Sequence, residues 1–120
     1  MSQGYRDLDV WRRGMELAEA GYFLTRSYPK DELFALTSQS RRAAASIPAN
    51  IAEGYGRATR PAYINHLRIA QGSLKELETH VLLAGRVGLF QPGEGDAALG
   101  LCDEVGRMLW TMLAKLTADS

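Results

Sequence analysis

At 120 residues with 46% apolar side chains, the chain is sized for one domain with a substantial core. Its 14 basic and 14 acidic side chains cancel, so no overall field recruits an anionic partner and any such contact has to be local. The single cysteine, Cys102, excludes an internal disulfide or a cysteine-built zinc site, and no run of about 20 apolar residues is present to span a membrane.

The opening MSQGYRDLD lacks the apolar segment of a signal peptide, which points to the cytoplasm. The first helix is expected over residues 7–27. It carries two neighbouring seams at three-and-four spacing: Leu8, Trp11, Met15, Ala18, Tyr22 and Thr25, and beside them Val10, Gly14, Leu17, Gly21 and Leu24. Together they are wider than a four-helix core demands. Gly14 and Gly21 each cost about 1 kcal/mol against alanine in a helix. Close packing is the expected reason for them, and both are candidate subunit-interface positions. Tyr28-Pro29-Lys30-Asp31 breaks the helix, and Asp31 suits the N-cap of the next.

Helix two, expected over 32–54, is the most unusual stretch. Ser40, Ala44, Ile47, Ile51 and Gly54 form a 4-3-4-3 seam. Arg42, Ser46, Ala49 and Glu53 form another stripe, with Ala45 and Ala52 beside it. Alanine is a good helix former anyway, but small residues also let backbones approach. Ser46 and Ala49 are therefore candidate interface positions too. Pro48 costs roughly 3 kcal/mol inside a helix. A helix ending there would strand Ile51, so a kink is expected rather than a terminus. Glu53 is placed to pair with Arg57, and Gly54 and Gly56 offer the left-handed conformation that ends helices.

After YGRATRP, with Pro61 suited to a first turn, helix three is expected over 61–87. Tyr63, Leu67, Ala70, Leu74, Leu77, Val81 and Ala84 alternate by fours and threes without a slip, and Gly88 is a natural stop. LFQPGEG forms a loop. Helix four, over 96–117, has Asp96 as its expected cap and a seam of Ala98, Cys102, Val105, Leu109, Met112 and Leu116. Trp110 and Leu113 fall off that seam and leave apolar surface to hide. Four amphipathic helices with short connections and no strand-like alternation predict an all-α, up-and-down antiparallel four-helix bundle. The surplus apolar surface predicts a homo-oligomer.

The residues carry little catalytic chemistry. A di-iron bundle needs Glu-x-x-His pairs, and neither Glu76 nor Glu78 stands three residues before His80. Gly54-Tyr55-Gly56 follows no strand, so it is not a dinucleotide loop. No metal or other cofactor is expected. Asn50 and Glu53 could form an acid–base pair, but a structural role is favoured. Charge is the stronger signal: residues 41–75 hold six basic side chains against Glu53 alone, a net +5. Within that segment Arg41, Arg42, Arg57 and Arg60, with Tyr55 among them, suit RNA through phosphate pairing and stacking.

YRDLDVWRRGMELA, SIPANIAEGYGR and HLRIAQGSLKELETHVLLA resemble the small four-helix-bundle proteins named for open reading frames in intervening sequences of bacterial 23S ribosomal RNA. The chain is also similar to accessory proteins of diversity-generating retroelements, which bind nucleic acid beside a reverse transcriptase. The resemblance implies a bundle assembled as a ring of five subunits, and it implies no established activity. The expected function is a non-catalytic oligomeric scaffold that binds structured RNA or a protein–RNA partner. The alternatives are a purely protein-binding oligomer and, less favoured, an enzyme using Asn50 and Glu53.

Overall fold

Four α-helices account for most of residues 4–118, the part of the chain that the computed structural model describes. They are α1 (Asp9–Thr25), α2 (Ser38–Tyr55), α3 (Arg60–Arg86) and α4 (Asp96–Thr117), and no strand occurs among the described residues. Short connections force each helix back along its predecessor. Helix α1 packs on α2, α2 on α3, α3 on α4 and α4 on α1, which is the up-and-down bundle expected from the seams. The bundle measures 45 × 25 × 23 Å. Its long axis is little more than α3, whose 27 residues rise about 40 Å at 1.5 Å each.

The seams of α2 and α3 become the core. Ser40, Ala44, Ile47, Ile51 and Gly54 are all buried, and so are Leu67, Ala70, Leu74, Leu77, Val81 and Ala84. Each large aliphatic side chain taken fully from water contributes roughly 1.5–3 kcal/mol. In α1 the buried residues are Val10, Gly14, Leu17, Ala18, Gly21 and Thr25, so the core lies along the second seam and the edge of the first. Met15 and Tyr22 of the first seam stay exposed. In α4, Leu113 is buried whereas Met112 and Leu116 are only partly so. A straight helix with 3.6 residues per turn drifts off a seven-residue repeat, and here the drift shows as a second step of four after Leu109.

Helix two does not begin where its composition suggests. A 3₁₀ turn, Lys30–Glu32, leads into a wide turn over Leu33–Thr37, and Ala35 breaks the helical path at φ −122°, ψ −112°. Asp31 makes no capping bond. The segment has to carry the chain from buried Tyr28, stacked on Phe90 at 6.4 Å, to buried Thr37. That reversal leaves Phe34 89% exposed. Helix α2 then runs through Pro48 without interruption.

The helix ends use different devices from one another. Thr59 caps α3, its Oγ1 accepting from Ala62 N at 3.3 Å, with Pro61 in the first turn. At the far end Gly88 takes φ +81°, Leu89 N donates to Ala84 O at 2.9 Å and Gly88 N to Gly85 O at 3.2 Å. These bonds satisfy carbonyls that the helix itself leaves open. Gly54 and Gly56 do not take a left-handed conformation. Gly54 is instead a contact position: a Cβ there would lie 2.7 Å from His66 Cβ and 3.0 Å from Tyr63 Cδ1. At α4 the N-cap is Gly95, and Asp96 is the first helical residue, where its charge still favours the helix N-terminus.

Candidate functional site

The arginines singled out from the sequence fall into two groups at opposite ends of α2. Arg42 and Tyr55 are separated along the helix by about 20 Å at 1.5 Å per residue. At the first end Arg41 turns onto the bundle: its Nε donates to Thr25 Oγ1 at 2.9 Å, and its guanidinium sits 5.1 Å from the Tyr22 ring centroid. Arg42 is exposed. At the other end Arg57 is bound to Glu53 at 2.6 Å, and Tyr55 meets Tyr63 edge-on at 6.2 Å between centroids. Arg60 is exposed at the start of α3. Within one chain these five residues are not one constellation.

The four small interface candidates also separate. Gly14 and Gly21 face α2 of the same chain. A Cβ on Gly14 would meet Ile51 Cδ1 at 3.5 Å, and one on Gly21 would meet Ala44 Cβ at 3.3 Å. Ser46 faces α3, its Oγ 2.8 Å from Ser73 Oγ. Ala49 is exposed and lines a shallow apolar groove of about 370 Å³ on the outer side of α1 and α2. Trp11 and Met15 form one wall, and Ala45, Pro48 and Ala52 continue the other. Tyr22 and Phe23 extend the apolar surface along α1.

Between α2 and α3 lies a polar chain that seam-reading did not find, because its members sit off the apolar rows. Asn50 Nδ2 donates to Ser46 O at 2.9 Å and to Ser46 Oγ at 3.0 Å. A carbonyl can only accept, so the amide orientation is fixed and Asn50 Oδ1 faces His66 Nδ1 at 3.1 Å. His66 Nδ1 is therefore the protonated nitrogen of that bond. Glu53 Oε2 stands 4.0 Å from the same nitrogen, and its other oxygen takes Arg57. Helical spacing did place Glu53 and Arg57 together. It could not bring His66 to Asn50, since they belong to different helices.

The chain suits holding two helices in register better than moving protons. Both polar atoms of the Asn50 amide are engaged, and the Glu53 carboxylate carries its own cation. The His66 side chain is 14% exposed. Cys102 offers no nucleophile either, since burial, with Glu78 and Asp103 adding to it, pushes its thiol up to about 12. Among the described residues no cluster of three or more His, Cys, Asp or Glu could hold a metal ion, and no helix is long and apolar enough to cross a membrane.

A family model described as 23S rRNA-intervening sequence protein matches residues 6–111. The chain belongs to that family. The match takes in α1 to α3 and most of α4, including the Ser46–Asn50–His66 chain. Among solved structures, the chain is similar to a protein of unknown function from the S23 ribosomal protein family of Bacteroides thetaiotaomicron. The two share 23% identity and a TM-score of 0.78 over 87% of this chain and 97% of the other, a likeness of fold. No match is found among curated proteins. The family match and the likeness of fold both agree with the four-helix bundle.

Proposed function

We propose that the chain is a non-catalytic scaffold that assembles with copies of itself and presents basic surfaces to RNA or a protein–RNA partner. One observation carries the assembly: the outer side of α1 and α2 bears a largely apolar surface, from Trp11 and Met15 to Tyr22 and Phe23, floored by Ala45, Ala49 and Ala52, with Glu19 and Arg26 as its charged lining. Monomeric proteins rarely leave large apolar patches of this kind open. A second copy is the occupant that the self-complementary shape favours, bulky α1 side chains against small α2 side chains. Five copies is the number that the family resemblance implies. The RNA contact draws support from the net +5 of residues 41–75. Arg42 and Arg60 are exposed at opposite ends of α2, and a ring repeats both.

Replacing Ala49 with arginine puts a long cation into the apolar groove. The expected result is a smaller assembly, and with it weaker and less salt-sensitive binding of structured RNA, because fewer phosphates are engaged per particle. Wild-type protein that ignores RNA at low salt would remove the nucleic-acid half and favour a protein-only scaffold.

A further inference from the structure

On the side of the bundle away from the apolar α1–α2 surface, α3 and α4 leave a groove of about 570 Å³ between them. Two glycines keep it open. A Cβ on Gly72 would meet nothing within 4 Å, and one on Gly106 would meet only Leu74 Cδ2 at 3.9 Å. Neither glycine is needed for a close approach, so their smallness leaves room above the helices. The floor is apolar, made by buried Leu74 and Cys102. The walls are basic: Arg68 and Lys75 from α3, and Arg107 from α4, against the single carboxylate of Asp103.

The charges are available. Lys75 reaches the half-buried Glu78 at 3.4 Å, and its own exposed side chain leaves the pair open to screening by water. The acidic neighbour on α4, Glu104, is drawn away to Arg13 at 3.0 Å. Among the described residues neither Arg68 nor Arg107 belongs to an ion pair. Beside them stands Trp110, 68% exposed. Arg68, Gln71 and Trp110 also line a second hollow of about 350 Å³ toward the end of α4, so the groove continues past the indole.

An exposed indole flanked by free guanidiniums satisfies two needs of a flexible polyanion at once. A base stacks on the ring, and phosphates pair with the arginines on either side. An acidic peptide would use the cations and leave the indole idle. A duplex keeps its bases stacked on each other. A second copy would set this cationic groove against like charge. Arg68 and Lys75 lie two turns apart, about 10.5 Å along α3, which suits a strand running along the groove.

We propose that the α3–α4 groove binds single-stranded nucleic acid, with Trp110 stacking on a base and Arg68 and Arg107 pairing with the phosphates beside it. This rests on the reading that the chain meets nucleic acid, and it names the surface and the form of the ligand. The charge pattern along the sequence could not show it, because Arg107 and Trp110 belong to the acidic last third of the chain.

The probe is a labelled uridine oligonucleotide, compared with a duplex of the same length by fluorescence anisotropy at several salt concentrations. Binding of the single strand in preference to the duplex is expected, with quenching of indole emission that disappears in Trp110→Phe. Trp110→Ala should weaken binding between about 5-fold and about 150-fold, while Trp110→Phe retains most of the affinity. Arg68→Gln with Arg107→Gln should reduce the log–log salt slope by about 1.4, or 0.7 for each phosphate lost. All three positions are exposed, so circular dichroism and particle mass should stay at wild-type values. Unchanged affinity and slope in these variants, with the wild type binding RNA, would overturn the groove and leave the scaffold reading standing. A preference for duplex, or a change of mass in the variants, would also overturn it. A wild type that binds neither probe at low salt would overturn the groove and the nucleic-acid half of the scaffold reading together.

Discussion

Gly54 and Gly100 are both helical glycines, and alanine should have opposite effects at the two. At Gly54 the added carbon collides with the Cβ of His66 and the ring of Tyr63, at the crossing of α2 and α3. Overpacking of this kind costs about 1–3 kcal/mol, more than the roughly 1 kcal/mol that alanine gains in helix propensity. At Gly100 nothing lies within 4 Å of the added carbon, so Gly100→Ala should stabilise by up to about 1 kcal/mol. Urea unfolding of the two variants checks both signs. A second residue-scale expectation concerns alkali. Burial raises the Tyr28 hydroxyl from 10.0 to about 12; burial first, then Glu78 and Asp103, raises the Cys102 thiol from 9.0 to about 12. As pH rises the unfolded chain loses these protons before the folded one does. Both groups therefore leave stability untouched below about pH 9 and erode it between about pH 9 and about pH 12. A urea midpoint that stays level across that window would contradict the burial of both groups. Cys102→Ala should move the onset of the decline to higher pH, leaving the part due to Tyr28.

At the scale of the element, the helix ends divide the glycines by conformation. Gly88→Ala forces a side chain into φ +81° and should cost about 1–2 kcal/mol. Gly56 has φ −81° and only ordinary contacts for an added Cβ, so Gly56→Ala should stay within about 0.5 kcal/mol. Thermal unfolding of the pair measures the difference. The same elements show what a sequence can carry. Helix α3 was legible, because its apolar row is unbroken from Leu67 to Ala84 and both ends carry a local signal, Pro61 and Gly88. Helix α1 was legible as a helix but not in orientation. Both of its rows are apolar, and only the neighbouring helices decide that Leu17 goes in and Met15 stays out. The start of α2 was not legible, since residues 30–37 have helical composition and the break at Ala35 comes from the reversal of the chain. Groupings across helices were hidden for a related reason. Asn50 with His66, and Arg68 with Trp110, are neighbours only across helices, which periodicity within one helix cannot register.

For the whole molecule, surface is distributed by sign and by polarity. The outer α1–α2 side is apolar and made of large side chains on one helix and small ones on the other. The α3–α4 side has an open groove with an apolar floor and basic walls. On the proposed reading, a chain with no net charge offers two faces to different partners, one to its own copies and one to an anionic strand. If copies associate through the first face, each keeps the second free, and the basic grooves repeat around the particle. Salt dependence should then steepen with the number of copies, because each engaged groove adds its own phosphate contacts. The central claim is the assembly, and particle mass by light scattering at micromolar concentration tests it most directly. The account predicts a multiple of the 13.2 kDa chain, five copies for the ring, and a shift toward smaller species in Ala49→Arg. A stable 13.2 kDa monomer would contradict it.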